Sequence, residues 1–526
     1  VVRPLLIEPE HGRRAGGAGA VDGQRHPVAY RRGRDGGRAV QPGFARPTGS
    51  PDVRHDLAAT PLLAGGAVGH QTGVRRHDRD PEAAEQQEEQ PAEAAEQQTF
   101  ASESANLEGG RYYTLLATPS EQAAQQQAAA QQQAAQQQAA AQQQAAQQQY
   151  AAQYGQQQYA QPGQQIVLRD GTYRPDRAVV IERGNNGTEN APITLMSEPG
   201  TRAVLDLSQS EGGGIILRGD HWHVYNLEIT GSQGYAKPMH IQGHHNVVER
   251  IESHHNGDTG VQISGSSAEP PELWPSHNLV LSSVAHNNAD PLANDADGFA
   301  AKHTAGEGNV FRYNIAYHNI DDGWDLYAKS TEGPIGVVVV EDSVSYNNGW
   351  LEADEGLELV GEGNGFKLGG ESMPGRHILR NSVSYNNYAK GVTSNSGPDV
   401  RVFDVTSYHN GQVGEDGGRM NLQLTTNAPS TDYEASGVLS YQGRQADDIE
   451  LKGQEDTIRT DLSNYLDGVN ADGHEVSDDW FVSLDLSTRP TIAEDGSIDM
   501  GGLLELTDVA AGDAGARLGA NPEPTV

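Results

Sequence analysis

The sequence predicts an all-β solenoid, a parallel β-helix behind a low-complexity N-terminal region, and three observations carry this. From about residue 162, short apolar runs recur at intervals of about 20 to 50 residues, the period of a stacked array. Each unit holds an apolar triplet, a short alternating strand, an Asn-containing turn and a Gly-hydrophobic strand. No unit shows helical periodicity.

Residues 1–98 are rich in Arg, Gly, Ala and Pro, with few aromatics and no hydrophobic period, and read as disordered or unprocessed. Residues 99–161 form a linker whose tract EQAAQQQAAAQQQAAQQQAAAQQQAAQQQ, from 121 to 149, suits a solvated helix but has no apolar stripe to bury. At PGQQIVLRDGTY the texture changes to a β-branched run, a D-G turn and an aromatic. The β-helix core is placed at 162–430, with C-terminal coils and a tail at 431–526.

Composition narrows the chemistry. The 526 residues include no cysteine, which excludes disulfide scaffolds, thiolate metal sites and cysteine nucleophiles. A net charge of −36 argues against nucleic acid and anionic membranes as partners. No run approaches the roughly 18 to 20 apolar residues of a membrane span. No secretory signal stands at the start, so secretion is inferred from the substrate class alone. Lysines are few, at 237, 302, 329, 367, 390 and 452, which makes each worth placing.

The units align as HNVVERIESHHNGDTGVQISG (245–265), HNLVLSSVAHNNADP (277–291), GNVFRYNIAYHNIDDGWDLYAK (308–329), GVVVVEDSVSYNNG (336–349), RHILRNSVSYNNYAKGVTSNS (376–396) and DVRVFDVTSYHNG (399–411). Three strands per unit predict coils stacked about 4.8 Å apart. Asn256, Asn287, Asn319, Asn347, Asn386 and Asn410 recur at the turn and are expected to form an internal amide ladder. The histidines beside them, at 254, 255, 286, 318 and 409, are expected to pack between coils.

The Gly-hydrophobic pairs supply a register. Val261, Phe299, Trp324, Phe366 and Val392 occupy one inward line, so their sequence neighbours, apart from the preceding glycine, face outward. This puts Asp297 one rung from Asp322 and Asp325 one rung from Lys367, with Asp321 joining from the turn. Two carboxylates about 5 Å apart repel by roughly 3 kcal/mol at an effective dielectric near 20, so the cluster calls for protonation, solvent or a cation. An all-oxygen set suits calcium better than zinc. Lys302, Lys329 and Lys390 fall near the same face, where they are expected to bind substrate carboxylates or serve as surface cations.

The stretch from about 220 to 411, above all NDADGFAAK, EGNVFRYNIAYHNIDDGWDLYAK, GNGFKLGG and YNNYAKGVTSNSGP, resembles the family 9 polysaccharide lyases, pectate lyases built on a right-handed parallel β-helix. PGQQIVLRDGTY is similar to that family's opening coil and DDWFVSLDLSTRPTIAEDGSIDMGGLLEL to its C-terminal segment, so the resemblance covers about 162 to 520. It departs at the front, where the Ala/Gln tract replaces an ordered Gly/Asp-rich first strand. The resemblance implies calcium ligands at Asp297, Asp321, Asp322 and Asp325 and a catalytic base at Lys367. It further implies cleavage of polygalacturonate by β-elimination, by a secreted enzyme expected to act as a monomer with an alkaline optimum. The residues alone leave three other readings open: a lyase for another uronan such as alginate, an inverting glycosidase with paired carboxylates, and a non-catalytic carbohydrate-binding β-helix stapled by calcium.

Overall fold

A computed structural model describes residues 5–7, 159–353, 356–359, 361–412, 419–428, 432–510, 512 and 514–519. All of them fall in one compact unit made of residues 1–13 and 130–526. The Ala/Gln tract and most of the segment read as disordered lie outside the described residues. Within the latter, however, Leu5–Ile7 form a strand in parallel register with Ile166, Val167 and Leu168, adding an edge to the first coil. A run of three apolar residues in a Gly- and Arg-rich context gave no sign of this pairing.

Each coil contributes one strand to each of three parallel sheets, of 11, 10 and 10 strands. The first sheet runs from Leu5–Ile7 to Glu434–Ser436, the second from Thr172–Tyr173 to Leu439–Tyr441, and the third from Arg177–Ile181 to Asp448–Glu450. Among the described residues only one α-helix occurs, Glu455–Arg459, and no helix is long and apolar enough to cross a membrane.

Inside the solenoid, large and small columns face each other. Val261, Phe299, Trp324, Phe366 and Val392 pair in sequence across the third sheet, as the register predicted, and all are fully buried. Phe299, Trp324 and Phe366 lie with successive ring centroids 4.9 Å apart. Beside them the second sheet turns a column of small residues inward: Ser253, Ala285, Ala316, Ser345, Ser384 and Ser407. The glycine before each core aromatic follows from this closeness. A Cβ on Gly323 would come within 2.0 Å of Ser345 Oγ, and one on Gly365 within 2.2 Å of Ser384 Oγ.

The amide ladder exists, shifted by one residue at every Asn-Asn pair. Its rungs are Asn256, Asn288, Asn319, Asn348, Asn387, Asn410 and Asn421, each Nδ2 donating to the next Oδ1 at 2.9–3.0 Å. Asn287, Asn347 and Asn386, expected as rungs, instead adopt left-handed backbone, with φ of 52°, 54° and 51°. So do His255, His318 and His409 at the same place in the other coils. The turn needs one αL residue, which Asn tolerates best among side chains that are not glycine, and only the residue after it points inward. Spacing alone does not separate the two members of an Asn-Asn pair.

Of the histidines expected to pack between coils, His254 and His286 stack outside the second sheet at 4.9 Å, and His286 stacks on Tyr317 at 4.6 Å. Tyr346 and Tyr385 continue the column. After the last coil the C-terminal segment returns along this outer face and forms a second core, in which Tyr385, Tyr408, Phe481, Met500 and Leu503 cluster. It is tied down by Gly515 N–H to the Gly437 carbonyl at 2.8 Å and Arg517 N–H to Asn381 Oδ1 at 2.7 Å.

Replacing Asn348 by Ala strips both neighbours in the ladder of a partner and should cost roughly 2–4 kcal/mol, from the penalty of unsatisfied buried polar groups. Replacing Asn347 should cost about 1 kcal/mol, the αL preference of Asn over Ala. Urea unfolding of the two variants measures the difference; equal losses would contradict the placement of the rungs.

Candidate active site

The cluster forms at the turn from the second sheet to the third, where two outward columns converge. Thr259, Asp297, Asp322, Asn364 and Lys390 each precede a core residue by two positions, and Gln262, Ala300, Asp325, Lys367 and Thr393 each follow one. Asp325 pairs with Ala300 on one side and with Lys367 on the other. Because stacked backbone fixes these columns, residues distant in the chain meet with no special loop.

Asp297, Asp321 and Asp322 each offer an oxygen within 4.8 Å of the others. The Asp322 N–H donates to Asp297 Oδ1 at 3.2 Å, while the Asn364 N–H and Nδ2 both donate to Asp322 Oδ1 at 2.7 Å. Thr259 Oγ1 donates to Asp297 Oδ2 at 3.1 Å. Asp325 stands between two lysines: its Oδ2 is 3.2 Å from Lys302 Nζ and its Oδ1 3.8 Å from Lys367 Nζ. Lys367 Nζ is also 3.1 Å from Asp322 Oδ2, 3.7 Å from Glu362 and 5.6 Å from the centre of the Tyr327 ring.

Burial dominates the electrostatics. It pushes Asp297 up to about 8, with Lys302 working against it. It also raises Asp321 and Asp322, each further raised by neighbouring carboxylates. At Asp325 burial acts the same way, but Lys367 and Lys302 together hold its carboxyl below the ordinary value. Burial alone would lower the two ammonium groups, yet the aspartates around them keep both above the ordinary lysine range. Raised carboxyls and ammonium groups gathered on one patch make it a candidate functional site.

The oxygens fit a hard cation. Asp321 Oδ1, Asp322 Oδ2 and Asp325 Oδ1 are buried and make no hydrogen bond within the chain. Asp322 Oδ2 and Asp325 Oδ1 share the single ammonium of Lys367, at 3.1 and 3.8 Å, and three such oxygens on one patch are costly unless a further cation or a proton meets them. With no histidine or thiolate in the group, the donor set suits a hard cation such as calcium.

The structure thus brings together all four aspartates and Lys367, the five residues singled out in the sequence. Of the three lysines expected to contact substrate, Lys302 lies inside the cluster, its side chain 6% exposed and bound to Asp297 at 2.7 Å. Its ammonium is engaged by both Asp297 and Asp325, so its partners in the structure are carboxylates of the cluster. Lys390 is half-buried beside Asp322 and Glu362, with burial lowering its ammonium. Lys329 is half-buried and neighbours His303 and Glu371. Thr259 and Asn364 share the column of Asp297 and Asp322 and join the site by donating to those carboxylates. Tyr327 and Glu362 carry no sequence signal.

The fold defines a right-handed parallel β-helix with a buried carboxylate and ammonium cluster on its third sheet. The family model described as "Pel9A-like, right handed beta helix region" matches residues 130–425, and the chain belongs to that pectate lyase β-helix family. It is 38% identical over 330 residues to "Pectate lyase L" of Thermoclostridium stercorarium, covering 62% of this chain and 26% of that protein. It is 37% identical over 371 residues to "Pectate lyase L" of Paenibacillus polymyxa (strain SC2), covering 68% of this chain and 78% of that one. The crystal structure of pectate lyase Pel9A superposes with a TM-score of 0.53 at 29% identity, covering 69% of this chain and 88% of the other.

The raised carboxyls set a sign for stability. A group whose folded value exceeds its unfolded one adds stability below the unfolded value and loses it as pH climbs through the folded one. In chelator, the protein should therefore lose thermal stability from about pH 4 through about pH 8 through Asp297, Asp321 and Asp322, with Asp447, also raised by burial, adding to the slope from outside the cluster. Calcium should raise the melting temperature more at pH 9 than at pH 5. Melting curves with EDTA and with calcium at both values test this, and an equal shift at both would count against cation capture by these groups.

Proposed function

We propose that this chain is a calcium-dependent pectate lyase that cleaves polygalacturonate by β-elimination. The observation that carries the reading is the set of three buried aspartate oxygens that make no hydrogen bond and have one amine beside them, in a member of a pectate lyase family. Asp297, Asp321, Asp322 and Asp325 would hold the ion. Bound there, calcium supplies Lewis-acid neutralisation of a uronate carboxylate, which makes the C5 proton more acidic.

Lys367 is the base in this reading. Its side chain is 11% exposed against 6% for Lys302, so of the two it is the one a substrate reaches. It accepts the C5 proton only when neutral. The surrounding aspartates oppose that neutral form, and a divalent charge in the cluster favours it. The Tyr327 ring faces Lys367 Nζ at 5.6 Å, and its hydroxyl donates to Glu371 at 2.8 Å. Lys390 and Lys329 would meet further substrate carboxylates, which a chain of net charge −36 must attract locally. Secretion and action as a monomer belong to the same proposal, because pectin lies outside the cell.

Polygalacturonate with calcium should give ultraviolet-absorbing unsaturated product, and chelator should stop it. Sugar release without that absorbance would indicate a hydrolase instead, and binding without any turnover a carbohydrate-binding solenoid. Lys367→Met should lower kcat by roughly 10²- to 10⁴-fold, the usual weight of a general base, while calcium still binds. Because only the neutral amine works, kcat/KM should climb about tenfold per pH unit towards an alkaline plateau. A profile flat from about pH 6 to 10 would rule out the amine.

A further inference from the structure

The two ammonium groups in the cluster are not equivalent. Lys302 Nζ lies 2.7 Å from Asp297 Oδ2, 3.2 Å from Asp325 Oδ2 and 3.4 Å from the Asp295 carbonyl. Three acceptors match the three N–H bonds of an ammonium, so none is left for a ligand. Lys367 instead faces carboxylates at 3.1–3.8 Å and makes the closer approach to the surface. Asp325 turns one oxygen to each lysine, which puts the two cations on opposite flanks.

Charge then fixes what the cluster accepts. Lys302 thus places one positive charge among the four aspartates and lowers the net negative charge that an entering ion meets. We propose that Lys302 is a positioning residue, an internal cation that anchors Asp297 and Asp325 and limits the charge of the cluster so that it favours a divalent over a trivalent ion. This rests on the calcium reading above. It assigns Lys302 a part in metal selection and removes it from substrate contact.

The test uses the full chain after chelator treatment, with calcium and terbium titrated separately by calorimetry and terbium luminescence. Lys302→Met keeps the length of the stem and removes the charge, leaving the cluster one charge more negative, which favours a trivalent ion. The ratio of terbium to calcium affinity should rise at least tenfold over that of the unmodified protein. Lys302→Arg, which keeps the cation, should hold the original ratio. With calcium saturating, Lys302→Met should also lower kcat on polygalacturonate more than it changes KM. If the methionine variant does not fold, Lys302→Gln carries the same comparison. An unchanged ratio in a folded neutral variant that binds one calcium overturns the proposal. Failure of the unmodified protein to bind calcium overturns the calcium reading itself and this inference with it, a separate result.

Discussion

Everything in this molecule depends on the fixed spacing between coils. Parallel backbone pairing holds each rung about 4.8 Å from the next, and the amide ladder from Asn256 to Asn421 repeats that spacing inside the turn. A residue's column therefore matters more than its place in the sequence. Gly298, Gly323 and Gly365 occur where the ladder amides and the small inner column of the second sheet leave no room for a side chain. The core aromatics that follow them then stack on one another because their backbones have no alternative register. That same rigidity holds like charges together. A flexible loop bearing four aspartates would separate them, whereas the stacked strands oppose that relaxation.

The cluster resolves its repulsion in different ways at different positions. Asp325, flanked by two lysines, is kept ionised. Asp297, Asp321 and Asp322, more fully desolvated than compensated, are biased towards their protonated forms. A cation entering here competes with protons as well as with water, so binding is coupled to proton release. The lysines are part of that balance. They supply half of the charge needed to neutralise the aspartates, which lowers the cost of assembling the cluster in the absence of metal while leaving a deficit that a cation can fill.

Much of this was legible in the sequence because a solenoid turns local pattern into three-dimensional neighbourhood. The Gly-hydrophobic pairs gave the rung alignment of Phe299, Trp324 and Phe366, and with it the meeting of Asp322 with Asp297 and of Asp325 with Lys367. What escaped depends on information that a column does not contain. Asn287 and Asn288 differ only in which one takes the αL turn, a choice made by backbone geometry rather than residue type. Lys302 lies one position past the strand Phe299–Ala301, so its reach back to Asp297 follows from its rotamer. The cover over the second sheet comes from a tail with no repeat, whose apolar residues at Phe481, Met500 and Leu503 find partners only after the coils exist.

That cover also bears on where a polymer can lie. The C-terminal segment occupies the outer face of the second sheet, using the column of Tyr385, Tyr408 and Tyr441 as its floor. Half-open clefts occur away from the aspartates, one of about 310 Å³ lined by Arg202, Arg250 and Arg489 and one of about 660 Å³ lined by Asp220, His221 and His244. A long polyanion needs an open track more than an enclosed pocket, and the edge of the third sheet offers Asp322, Lys367 and Lys390 on successive rungs or nearly so. A net charge of −36 repels such a polymer at long range. Under the calcium reading, attraction comes within a Debye length, from a few lysines and from the ion. In a chain with six lysines, two of them spent inside the cluster, metal capture and substrate capture become the same electrostatic problem.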